Sequence, residues 1–199
     1  MMILRSSPPS PFGRKVKIAA AILGLSDRIK IEPTDTNDGT LKSQNPLAKI
    51  PTLVLEDGFC LYDSHVIAEY LDSLHDEPKI FPAGKPRWPA LRLAALADGL
   101  MEAALLLVYE KRIRPEATWN AQWIEMQQQK IDTSLDHLEG VQGKLGSRPD
   151  IGEIGLACAL GYLDLRHQGK WRETHPRLVA WLDDFSSLVP AFEATRVKA

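Results

Sequence analysis

Cysteine is scarce in this chain: only Cys60 and Cys158 occur among 199 residues, far apart and without a C-x-x-C pair. That excludes a disulfide framework or a zinc knuckle as the basis of the fold and suits a reducing, cytoplasmic compartment. Long apolar runs are missing too. No stretch approaches the roughly eighteen uninterrupted apolar residues of a membrane span, and the opening Met-Met-Ile-Leu-Arg-Ser-Ser-Pro-Pro has no signal-peptide core. Neither charge sign dominates. Lysine plus arginine number 24 against 26 acids, for a net charge of -2, and the bases are scattered, so the chain lacks the basic patch of a nucleic-acid binder. The five histidines fall at no metal-ligand spacing, and neither a metal nor a prosthetic group is expected. What is present, 44% hydrophobic and 25% charged residues, is ordinary for a globular protein with one large core or two modest ones.

The first half alternates strands and helices. Met2-Ile3-Leu4 is a short apolar run stopped by Ser and Pro, hence a buried strand. Val16, Ile18, Ala19, Ile22 and Leu23 recur at helical spacing, with Pro11 in the first turn and Gly24 as the stop. Ile29-Lys30-Ile31-Glu32 alternates at period two and completes a βαβ unit. After a polar stretch from Asp35 to Leu47, with a short helix around Leu41, come two runs, Thr52 to Leu55 and Phe59 to Tyr62, joined by Glu56-Asp57-Gly58, a hairpin signal. An amphipathic helix from Ser64 to about Leu74 comes next. This gives an α/β domain over residues 1–76.

Prolines 78, 82, 86 and 89 punctuate the next stretch, so 77–88 reads as a linker and 89–199 as an all-helical domain. Helices are expected from Arg87 to Arg114, ended by Pro115, and from Glu116 to Glu139, ended by Gly140. Asp150 and Glu153 form a capping box before Ile154 to Leu163, a run apolar nearly all round and therefore the buried centre of that domain. Two outer helices, His175 to Ser186 and Pro190 to Val197, pack around it.

Ser10-Pro11-Phe12-Gly13 lies between the first strand and the first helix, where free N–H groups and the helix dipole favour an anion such as a thiolate. In thioredoxin-like redox proteins this turn reads C-P-x-C; here Ser10 and Gly13 stand at the two cysteine positions, so the turn resembles that fold without its dithiol. A serine cannot form a mixed disulfide, but its hydroxyl can stabilise another molecule's thiolate. A thiol of pKa about 8.5 is only roughly 3% ionised at pH 7, and lowering that by about two units is worth about 2.7 kcal/mol. Against this stands a plain N-cap, for which serine is favoured. Ser6 and Ser7 are weaker rivals as the thiol's partner. Ile50-Pro51 is either an ordinary strand start or the counterpart of the cis-proline that faces the active turn in thioredoxin-like domains. Tyr62-Asp63-Ser64 reads as helix capping, as an anchor for a carboxylate and an α-amino group, or as both.

Together S-P-F-G-R-K at Ser10 to Lys15, N-P-L-A-K-I-P at Asn45 to Pro51, D-S-H-V-I-A-E-Y-L at Asp63 to Leu71 and D-I-G-E-I-G-L-A-C-A-L-G-Y at Asp150 to Tyr162 resemble the cytosolic glutathione transferases over the whole length. The resemblance implies a thioredoxin-like N-terminal domain followed by a helical-bundle domain. It implies Ser10 as thiol activator, Ile50 and cis-Pro51 at the cysteinyl backbone of glutathione, Asp63 and Ser64 at its γ-glutamyl group, and Lys49, or alternatively Lys42, near the glycine carboxylate. Glutathione would be a co-substrate, its thiol conjugated to a small hydrophobic electrophile, by a homodimer concerned with detoxification. Met101, Leu105, Tyr109 and Trp119 would wall the second-substrate pocket, although apolar residues at helical spacing equally serve as core or dimer interface. Arg14 and Lys15 are read as a solvated or interface face. Two other readings stay open: a non-catalytic binding or stress-regulatory scaffold, and a glutathione-dependent peroxidase or isomerase.

Overall fold

The computed structural model of the protein describes residues 1–76, 79–141, 143 and 147–197. Glu77 and Pro78 of the expected linker, and Lys198 and Ala199 of the expected helical domain, lie outside the described residues. The N-terminal half is a four-stranded sheet of β1 (Met2–Ser6), β2 (Ile29–Pro33), β3 (Thr52–Val54) and β4 (Cys60–Tyr62), in the order β2-β1-β3-β4. Helix α1 (Pro11–Ile22) is the crossover that makes β1 and β2 parallel, with Met2 opposite Ile29. β3 runs antiparallel to β1, Leu4 opposite Leu53, and β3 and β4 form the hairpin over Asp57-Gly58, where Gly58 takes the positive φ of 86° that the turn requires. β2 is one of the two edge strands, and its alternation leaves Ile31 half exposed. Helices α2 (Gly39–Gln44) and α3 (Ser64–Ser73) complete this thioredoxin-like part, and Leu4, Val16, Leu53, Ile67 and Leu71 make its core.

Asp72, buried in α3, ties the sheet half to the helical half. Its carboxylate accepts from the backbone N–H groups of Lys79, Ile80 and Phe81, and the Ile80 carbonyl accepts from Ile151 N–H at 2.9 Å. The described part of the proline-rich stretch is thus a clamped strap, with Ile80 and Phe81 buried.

The helical half comprises α4 (Arg87–Ile113), α5 (Ala121–Val141), α6 (Ile151–Arg166), α7 (Pro176–Leu188) and α8 (Pro190–Ala194). α6 starts at the expected capping box: Asp150 Oδ1 accepts from the N–H groups of Gly152 and Glu153, and Glu153 Oε2 accepts from Asp150 N–H. It is buried nearly all round and lies against α4. Three glycines allow that. A Cβ on Gly152 would sit 2.6 Å from the Ala90 carbonyl oxygen, one on Gly155 3.2 Å from Ala97 Cβ, and one on Gly161 2.5 Å from an Arg14 guanidinium nitrogen. Gly140, by contrast, does not end α5, which runs through it to Val141, and α8 stops at Ala194, short of the expected Val197.

Arg14 and Lys15 are not a solvated face; both are buried between the halves. Lys15 Nζ donates to Asp98 on α4 at 2.6 Å, while Arg14 donates to the Phe192 carbonyl at 2.5 Å and to Thr195 Oγ1 at 3.2 Å, its guanidinium 4.0 Å above the Phe192 ring. Among the described residues no helix is long and apolar enough to cross a membrane.

The two kinds of glycine separate experimentally. Gly152→Ala should lower the unfolding free energy by about 1–3 kcal/mol through overpacking. Gly140→Ala, exposed on α5 with nothing near its added methyl group, should raise it by about 0.5–1 kcal/mol. Urea unfolding of both variants measures this, and equal effects would contradict the tight α4–α6 seam.

Candidate functional site

A cleft of about 660 Å³ opens between the sheet half and the helices α4 and α6. Ser10, Lys49, Ile50, Pro51, Asp63, Ser64, Leu105 and Tyr109 all line it, brought together from four separate stretches of chain. Lys42, exposed on α2, does not.

Ser10 is the N-cap of α1: its extended backbone (φ -71°, ψ 117°) ends the turn, and its Oγ accepts from Gly13 N–H at 3.1 Å. Capping and thiol binding therefore do not compete. A hydroxyl has two acceptor lone pairs and one donor; the cap uses a lone pair and leaves the O–H free to donate into the cleft. Of its rivals, Ser6 is buried beneath Gly13, where any Cβ would collide with its Oγ, and it does not reach the cleft; Ser7 does line it. Cys158 offers no alternative nucleophile, since complete burial pushes its thiol up to about 11.

Across the cleft, the loop before β3 is organised by Asn45, a residue not singled out from the sequence. Buried at 1% exposure, its amide donates to the Lys49 carbonyl at 2.9 Å and to Thr52 Oγ1 at 3.0 Å, and its Oδ1 accepts from Leu47 N–H at 3.0 Å. Ala48 turns the chain at a φ of 50°. The Ile50–Pro51 peptide bond is cis. Neither the N–H nor the carbonyl of Ile50 has a hydrogen-bond partner among the described residues, so this peptide is free to pair with an extended ligand backbone.

The third wall is the start of α3. Asp63 caps it, accepting from His65 N–H at 2.7 Å, and does so at φ 71° and ψ 129°, a region disfavoured for a side chain with a Cβ. Such strain marks a residue held in place by its surroundings. It turns one carboxylate oxygen onto the helix and leaves the other without a hydrogen-bond partner among the described residues. Ser64, 3% exposed, likewise has a hydroxyl without a partner among the described residues and lines the cleft at the helix N-terminus.

On the helical side Leu105 and Tyr109 line the cleft, joined by Leu106 and Val108. Met101 does not: it is 0% exposed and belongs to the hydrophobic core. Nor does Trp119, which lies beyond the end of α4 and folds back so that its indole N–H donates to the Arg114 carbonyl at 3.1 Å. Sequence reasoning also missed polar members of this wall, Glu102, Arg112, Tyr162 and Arg166. Tyr162 is nearly buried, which pushes its phenol up to about 12 and keeps it a protonated donor. No group of His, Cys, Asp and Glu able to hold a metal ion occurs among the described residues.

Residues 9–74 match the family described as glutathione S-transferase, N-terminal domain, and residues 121–184 that described as glutathione S-transferase, C-terminal domain. The chain is 36% identical over 191 residues to the GST-like protein YibF of Escherichia coli strain K12, covering 94% of each. It is similar throughout to the crystal structure of a glutathione transferase family member from Pseudomonas fluorescens Pf-5 with bound glutathione, at 41% identity and a TM-score of 0.94, with both chains fully covered. A crystal structure of a family member from the same organism with bound S-(propanoic acid)-glutathione is similar at 40% identity and a TM-score of 0.89, again over 100% of both chains.

Replacing Asn45 by Ala strands Leu47 N–H and removes one of the two donors to the Lys49 carbonyl, which keeps the Thr52 hydroxyl at 2.9 Å. The expected loss is about 1–3 kcal/mol of stability with weakened binding of any ligand in the cleft. Thermal unfolding and calorimetry read the two effects, and a neutral substitution would remove Asn45 as organiser of the loop.

Proposed function

Since the chain belongs to the glutathione S-transferase family, we propose that it binds glutathione in this cleft, ionises its thiol beside Ser10 and transfers the glutathionyl group to a small electrophile. The observation that carries the reading is the Ser10 hydroxyl, with a lone pair on Gly13 N–H and its proton free, at the start of a twelve-residue helix across from Ile50-Pro51. The bound glutathione of the Pseudomonas fluorescens relative supports it.

In this reading the cysteinyl backbone pairs with the open Ile50 peptide, and the Ser10 O–H donates to the sulfur. The γ-glutamyl carboxylate meets Ser64 and the N–H groups of α3, while Asp63 takes the α-amino group. Lys49, exposed at the cleft edge, faces the glycine carboxylate. The thiol proton leaves to water, and the sulfur lone pair forms the new S–C bond as the leaving group departs or a double bond opens. Leu105, Leu106 and Val108 hold the apolar part of the electrophile against that sulfur. A two-fold dimer belongs to the same reading, and the exposed Phe59 and Val66, at 62% and 45% exposure, supply apolar surface for it.

Calorimetry of the full chain with glutathione should give binding below millimolar concentration; none at that level would favour a scaffold without a glutathione site. Ser10→Ala removes cap and donor together, costing about 0.5–2 kcal/mol of stability. Ser10→Asp isolates the chemistry: aspartate caps as well as serine, yet as an ionised acceptor it repels a thiolate. Conjugation should fall at least tenfold in Ser10→Asp with the unfolding midpoint nearly kept, and retained turnover would remove Ser10 as the activator.

A further inference from the structure

The helical wall carries charge that the glutathione reading leaves unused. Arg112, in the last turn of α4, and Arg166, the last residue of α6, both line the cleft. Neither has a carboxylate within ion-pair distance among the described residues, and the acids two positions before each in sequence are committed elsewhere. Glu110 pairs with Arg114 and accepts from Asn120 N–H, and Asp164 holds Arg172 through two hydrogen bonds while accepting from the Trp171 indole. Tyr162, one turn before Arg166 on α6, and Tyr109, one turn before Arg112 on α4, line the same cleft, so the four side chains share its helical wall. All the polar hydrogens of these four are donors: two guanidinium forks and two phenol O–H groups.

Two acids, Glu102 and Asp63, also line the cleft, and neither is within ion-pair distance of Arg112 or Arg166 among the described residues. Glu102 precedes Arg112 by ten residues on α4, about 15 Å along the helix at 1.5 Å per residue, and Asp63 stands on the opposite wall at the start of α3. Both arginines thus line the cleft without an ion-pair partner among the described residues. A wall of leucines and valines selects a substrate by size and shape; unpaired arginines select by charge, and their planar forks match a carboxylate.

We propose that the second substrate is an electrophile bearing a carboxylate remote from its reacting carbon, anchored by Arg112 and Arg166 with the Tyr109 and Tyr162 hydroxyls as further donors. This rests on the cleft binding glutathione. For a halogenated carboxylate, the glutathione sulfur forms the S–C bond, the halide leaves with the electron pair of the broken C–halogen bond, and the thiol proton has already passed to water. The carboxylate is unchanged by the reaction and serves to orient the reacting carbon on the sulfur.

Two nearly isosteric conjugates, S-(4-carboxybenzyl)glutathione and S-(4-carbamoylbenzyl)glutathione, test the anchor by calorimetry on the full chain. Wild type should bind the acid about tenfold or more tighter than the amide, with a preference that shrinks as salt is raised. The ratio should fall to about one in the R112A/R166A double variant and recover in part in R112K/R166K, which keeps the charge without the fork. Equal affinities for acid and amide in a wild type that binds glutathione would overturn the anchor alone, as would a preference surviving in R112A/R166A. A wild type that binds neither glutathione nor either conjugate would overturn the anchor together with the glutathione reading.

Discussion

Helix α1 is held from both sides, and the cleft exists because of it. One side packs in the sheet half; from the other, the wholly buried Lys15 reaches Asp98 on α4, and Arg14 reaches the Phe192 carbonyl on α8. Measured against an apolar replacement, a buried ion pair adds little net stability, but any other docking of the two halves would leave the Lys15 ammonium buried and unpaired, at a cost of several kcal/mol. The N-terminal turn of that same helix carries Ser10. Fixing α1 against α4 and α6 thereby fixes Ser10 against Leu105, Tyr109 and Tyr162, and Gly161 gives Arg14 the room to make the contact.

The chemistry of the cleft derives from what its backbone leaves unpaired. The starts of α1 and α3 both open onto it, each with a side chain that caps the helix and retains a polar group for something else, Ser10 its hydroxyl proton and Asp63 its second carboxylate oxygen. Between them the Asn45 network holds the Leu47 N–H, the Lys49 carbonyl and the Thr52 hydroxyl, while the Ile50 peptide has no hydrogen-bond partner among the described residues. Buried backbone groups are nearly always paired, so an open peptide facing a cleft, flanked by two helix starts, supports the proposed short, zwitterionic peptide ligand more specifically than any one of its residues does.

Much of this was legible because it is local. The strand-turn-helix from Met2 to Leu23, the Asp57-Gly58 hairpin and the Asp150–Glu153 capping box are each set by neighbours in sequence, and the structure contains them close to the expected bounds. What was not legible depends on partners far along the chain. The burial of Lys15 is decided by Asp98, 83 residues away. Met101, Leu105 and Tyr109 share one face by spacing, yet the fold buries the first and leaves the other two at the cleft, and periodicity along one helix cannot report where its neighbours cover it. Arg112 and Arg166 look like solvated helix ends on their own elements and share one wall of the cleft only when α4 and α6 are side by side. Gly140 had the residue type of a helix stop but not its conformation, and α5 runs through it.

The proposed function turns on the state of the glutathione sulfur beside Ser10. Carbon-13 NMR of glutathione labelled at the cysteinyl Cβ, titrated with pH free and bound to the protein, reads that state directly. The thiol's midpoint, about 8.5 for an unperturbed thiol, is expected to fall by about two units on binding to the wild-type protein. A bound thiol that titrates where the free one does would contradict activation by Ser10.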